Sequence, residues 1–146
     1  MLFECFAVAL IFGIAPIINK YILQFIQVES VVLLSGFFYC IFALLYLLFN
    51  GHKQFIMDWR TLIQNKHVFA LLLLTALLIY VVANYFYLLV LKDNKTYLVT
   101  ATIAAYPLLT ALFGNLLLNE HISIREFIGI MLIVSGVFTL NQPYNP

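Results

Sequence analysis

Three small sets of polar side chains interrupt otherwise apolar stretches of this chain. Asn19 and Lys20 follow Gly13 and Pro16; Tyr80, Asn84 and Tyr87 recur at i, i+4 and i+7; Thr102, Tyr106 and Thr110 recur at i, i+4 and i+8 around Pro107. At such spacings each set falls on one helix face. Amides, hydroxyls and one ammonium in apolar surroundings are groups that hold a small molecule by hydrogen bonds, since each needs a partner there. They are not groups that make or break bonds. The sequence offers no Ser/His/Asp or Cys/His constellation and no dyad of buried carboxylates. His52 and His67 lack metal-ligand spacing and read as loop residues. Cys5 and Cys40 lie in apolar runs and read as packing residues. The expectation is therefore no enzyme, no cofactor and no metal.

Each set also has a purely structural reading, and both readings stand at this point. Lys20 is close enough to the end of its run to snorkel to the headgroups, or it faces a wet pore. Asn84 and the tyrosines bond one helix to another, or they wall a pocket. The threonines bond back to carbonyls freed by Pro107, or they add a ligand to the same stripe.

The elements that must position these residues are membrane spans. Of 146 residues, 65% are hydrophobic and only 9% charged, and the mean hydropathy is +1.07. Soluble domains carry about 25% charged residues, and about 20 apolar residues suffice to cross a bilayer core. The fold class expected is all-α, a polytopic membrane helical bundle with five transmembrane helices. These fall at about 2–25, 31–49, 68–91, 96–118 and 124–140, in one transmembrane domain over 1–146. The first run has no Lys or Arg before it and no small-residue cleavage site, so it reads as a retained helix. The net charge of +1 presents no basic face for nucleic acid. The chain is thus expected to be a multi-pass integral membrane protein whose partners are the lipid bilayer and a small molecule.

Small residues suggest where helices approach closely: Gly13 and Pro16 in the first span, Ala101 and Ala105 in the fourth, Gly129 and Gly136 in the fifth. Between the second and third spans, Phe55, Ile56, Trp59, Leu62 and Ile63 share a stripe. That predicts an interfacial helix over 53–66 with Trp59 at headgroup depth, or else a loop that happens to be periodic. A Glu120–Arg125 pair is expected to fix the last hairpin, and the tail from Asn141 on is expected to fray. With the N-terminus inside, Lys53, Arg60, Lys66 and Arg125 fall on inner loops, against Lys92 and Lys95 outside with Lys20 near that end. The bias is small enough to leave insertion in both orientations open.

Three segments together carry a likeness to a known family: FGIAPIINKY in the first span, ANYFYLLVLK at the end of the third, and TATIAAYPLLTALFGNLLLNEHISIREFIGIMLIVSG across the fourth and fifth. In this order the chain resembles the EamA-type repeat of the drug/metabolite transporter superfamily. The resemblance implies a five-helix repeat, commonly present twice in opposite orientations, that moves small metabolites, amino acids, sugar phosphates or drugs. It also implies a substrate cavity lined by helices one, three and four. On this chain that points to Asn19, Lys20, Tyr80, Asn84, Thr102, Tyr106 and Pro107, the polar sets already singled out.

Two functions are expected on these grounds. The first is a secondary transporter or exchanger of small metabolites acting as a homodimer, since the chain holds one repeat and no phosphate-binding glycine loop for ATP. No carboxylate falls at mid-membrane, Glu4 and Glu120 being near span ends. The second is a non-transporting scaffold or regulatory subunit packed against another membrane protein, which the small-residue seams suit equally.

Overall fold

The apolar runs fold as helices, and the polar interruptions decide where those helices begin, bend and stop. The computed structural model describes residues 2–50 and 53–142, less the side chains of Leu2 and Asn50. Gly51, His52 and Pro143–Pro146, with the expectations for His52 and the last residues of the tail, lie outside the described residues. The elements are α1 (Leu2–Ile22), α2 (Val28–Asn50), α3 (Lys53–Gln64), α4 (Lys66–Ala76), a π-helical segment (Leu77–Ala83), α5 (Asn84–Asp93), α6 (Thr96–Ile103), α7 (Tyr106–Leu118) and α8 (Ile124–Leu140). No strand occurs among the described residues, so the all-α class holds.

Four stretches are long and apolar enough to cross a bilayer: Phe3–Ile22, Val28–Phe49, Lys66–Asp93 and Thr96–Leu118. These are the four found among the described residues; the fifth expected crossing is not confirmed. α8 has 17 residues, a reach of about 26 Å, against a hydrocarbon core about 30 Å thick.

Two of the crossings are not plain α-helices. In the third, α4 passes directly into the π-helical segment and then α5, and the Asn84 amide donates to the Ile79 carbonyl five residues back. The fourth is two helices with a break at Ala104–Ala105. Pro107 has no amide hydrogen for the Ile103 carbonyl, and its ring favours the first turn of a new helix. The chain closes the gap with tighter turns, Ala105 N–H donating to the Thr102 carbonyl at 3.2 Å and Leu108 N–H to the Ala105 carbonyl at 3.1 Å.

The chain divides into two compact units, Met1–Lys92 and Asp93–Pro146. In the first, α2 packs on the π-helical segment and α3 beside α4; in the second, α6 and α7 both pack on α8. Buried apolar residues of the first unit include Leu23 just after α1, Val28 and Val31 at the start of α2, and Leu88 and Leu91 of α5. In the second unit α7 ends on Asn119, whose φ of 53° is left-handed, and the Asn119 and Glu120 amides both donate to the Gly114 carbonyl. Asn115 Nδ2 donates to the Glu120 carbonyl at 2.9 Å. α8 then starts with a capping box, in which Ser123 Oγ accepts from the Glu126 amide and the Glu126 carboxylate accepts from the Ser123 amide. The expected Glu120–Arg125 ion pair is not formed among the described residues. Backbone capping by Gly114, Asn115, Ser123 and Glu126 holds the turn instead.

Candidate functional site

In the first unit, the end of α1 is tied to the end of α5. Lys20 Nζ donates to the Leu91 carbonyl at 3.0 Å. Leu91 lies in the last turn of α5, where carbonyls lack intrahelical amides and the helix dipole is negative. An ammonium is the natural partner for both. Lys20 and Asn19 are half-buried and Pro16 is buried, whereas Gly13 is exposed.

The π-helical segment redraws the face expected for the third span. An extra residue between hydrogen-bonded partners rotates the downstream residues relative to an ideal α-helix. Asn84 and Tyr87 are half-buried and lie on one stripe with Leu88 and Leu91, which are 1% and 0% exposed. Tyr80 leaves that stripe. It is 59% exposed and meets Tyr39 of α2 edge-to-face, ring centroids 5.9 Å apart. Among the described residues the Asn84 amide makes no hydrogen bond through its side chain.

The same turn brings Tyr85 and Phe86 to an open groove of about 400 Å³ shared with Glu29 and Leu33 of α2 and Val82 of the π-helical segment. None of the seven residues expected at a binding site lines it. Glu29 escaped the sequence reading because α2 was expected to begin at Val31; it begins at Val28, which places Glu29 in the first turn. Tyr85 lay off the face that an unbroken α-helix would present. Nothing in Leu77–Ala83 signals the π-helical turn.

In the second unit, Thr102 is satisfied by the chain itself. Its hydroxyl donates to the Leu98 carbonyl at 2.8 Å and accepts from Asn141 Nδ2 at 3.0 Å. Asn141, expected to fray, thus latches the end of α8 to α6. Thr110 donates to the Tyr106 carbonyl at 3.2 Å. Tyr106 opens α7, 62% exposed, beside half-buried Pro107. Ala101 and Ala105 are half-buried on the segment that meets α8. A methyl added at Gly13, Gly129 or Gly136 would meet no atom within 4 Å, so the chain itself fills none of these positions. Gly114 was not singled out, yet there a methyl would stand 2.9 Å from Glu120 Oε2.

Hydroxyls, amides and an ammonium on apolar helices offer hydrogen bonds to a polar solute. Such a chain is a multi-pass integral membrane protein with polar side chains set among apolar helices. It belongs to the EamA-like transporter family, whose model matches residues 1–142. No curated protein and no solved structure matches it. The family is one of membrane transporters, so a small-molecule substrate and a bilayer setting come with membership.

Proposed function

We propose that this protein is a secondary transporter or exchanger of small metabolites, working as a dimer of five-helix repeats in which α8 completes the fifth crossing of a thinned bilayer. Family membership over residues 1–142 is the observation that carries the reading. Asn19, Lys20, Tyr80 and Asn84 of the first unit, and Thr102, Tyr106 and Pro107 of the second, are proposed as substrate-facing. Support comes from polar groups that a lone chain leaves uncovered: the exposed Tyr80 and Tyr106, and half-buried Asn84, whose side chain makes no hydrogen bond among the described residues. Such groups are costly against hydrocarbon, and a second repeat would cover them. The uncovered Gly13, Gly129 and Gly136 suit the same partner.

The test is counterflow of radiolabelled amino acids, sugar phosphates and organic cations in proteoliposomes of the purified chain. Asn84→Ala and Tyr106→Phe should each lower flux at least tenfold, on the order of one lost buried hydrogen bond, while the protein keeps its elution volume and helicity. A scaffold would instead lose its partner or its stability in these variants and move none of the solutes.

A further inference from the structure

We infer that α3 is a docking helix for anionic lipid headgroups, lying in the bilayer plane with Trp59 at headgroup depth. α3 joins two stretches that are each long enough to cross, Val28–Phe49 and Lys66–Asp93. A helix tethered at both ends to spans is held against one membrane face. No residue of α3 is buried, although Phe55, Ile56, Trp59, Leu62 and Ile63 form a continuous apolar stripe. The Phe55 and Trp59 rings stack with centroids 6.1 Å apart and planes 22° from parallel, which makes a flat aromatic patch. The bilayer surface that begins where α4 begins is the apolar layer within reach of that stripe.

Charge selects the lipid. Lys53 and Arg60 are seven residues apart, so they lie within about 20° of one another around the helix. They border the stripe on the side of Ile56 and Ile63. The helix's one acid, Asp58, lies on the opposite border, where it accepts from Gln54 Nε2 at 3.0 Å. The cationic border is therefore not neutralised by its own helix. Lysine and arginine stems lie along apolar surface and lift their charges to the phosphates. A bilayer of zwitterionic lipid offers the apolar layer but no net charge to match; anionic headgroups offer both.

Trp59 is the single tryptophan of the chain, so its fluorescence reports this helix alone. The full chain is placed in vesicles of equal phosphatidylcholine and phosphatidylglycerol in which one lipid or the other carries brominated acyl chains. Brominated phosphatidylglycerol should be enriched about fivefold over brominated phosphatidylcholine in quenching Trp59, the effect of one basic side chain near an anionic surface. The Lys53→Gln/Arg60→Gln double variant should lose that preference with its emission maximum unchanged, and Lys92→Gln/Lys95→Gln should keep it. Equal quenching by the two lipids in the unmodified protein would overturn the anionic preference. Quenching by aqueous iodide without quenching by either lipid would place the stripe in water. Blue-shifted emission that neither reaches would mean that protein covers it.

Discussion

Lys20 supplies a donor to a helix end rich in unpaired carbonyls, and the strength of that bond depends on where Leu91 sits. Leu91 is fully buried, and its carbonyl accepts from Lys20 Nζ at 3.0 Å. Hydrogen bonds to charged groups contribute about 1.5–3 kcal/mol. Lys20→Met should therefore lower the unfolding free energy in detergent micelles by about 2 kcal/mol, and Lys20→Arg, which keeps a donor, by less. At the start of α8, Ser123 Oγ accepts from the Glu126 amide at 3.3 Å. Ser123→Ala should cost about 1 kcal/mol, read as faster hydrogen exchange confined to the first-turn amides of α8. At Asn119 the left-handed backbone tolerates asparagine or glycine. Asn119→Gly should leave stability within about 0.5 kcal/mol of the parent, and Asn119→Val should lower it by about 1–2 kcal/mol.

Among the elements, the break between α6 and α7 rests on one missing amide hydrogen. Pro107→Ala restores a donor for the Ile103 carbonyl and should fuse Thr96–Leu118 into one helix. Spin labels on α6 and α7 would then report a longer, narrower distance distribution, with lower flux if the break serves transport. This element was legible beforehand in part: Pro107 marked the site, though a kink and a complete break look alike in a string of residues. The helical class was legible because long apolar runs have few other ways to satisfy their backbones in lipid. The π-helical segment was not. Leu77–Ala83 holds neither glycine nor proline, and it packs against α2, where Tyr80 meets Tyr39. That hidden turn is why Tyr80 was expected beside Asn84 and why Tyr85 was placed off their face. Gly114 was missed for a related reason: its closeness to the Glu120 side chain comes from the chain folding back six residues later. The polar members of the expected site were legible as residue types, because polar groups stand out on apolar helices. Their partners, Leu91 for Lys20 and Asn141 for Thr102, depend on tertiary approach across 71 and 39 residues.

For the whole molecule, the proposed dimer makes a prediction about direction. The charge bias toward N-inside is small enough to leave both orientations open, and an antiparallel dimer requires both. Cysteine-accessibility mapping of reporters placed at each end should find both ends on both faces of the membrane. A single fixed orientation would require the second repeat to come from a parallel copy or a different chain. Adding two lysines beside Lys53 should bias the population to one orientation and lower flux, and co-expression with an oppositely biased variant should restore it. The bond between Lys20 and Leu91 also provides a clock. Lys20 is half-buried, whereas Lys53, Lys66, Lys92 and Lys95 are exposed. Brief treatment with an amine-acylating reagent should mark those four first. The lag before Lys20 acquires its mass tag would then time how often the end of α1 parts from the end of α5, and a transported solute that alters this parting would change the lag without any label of its own.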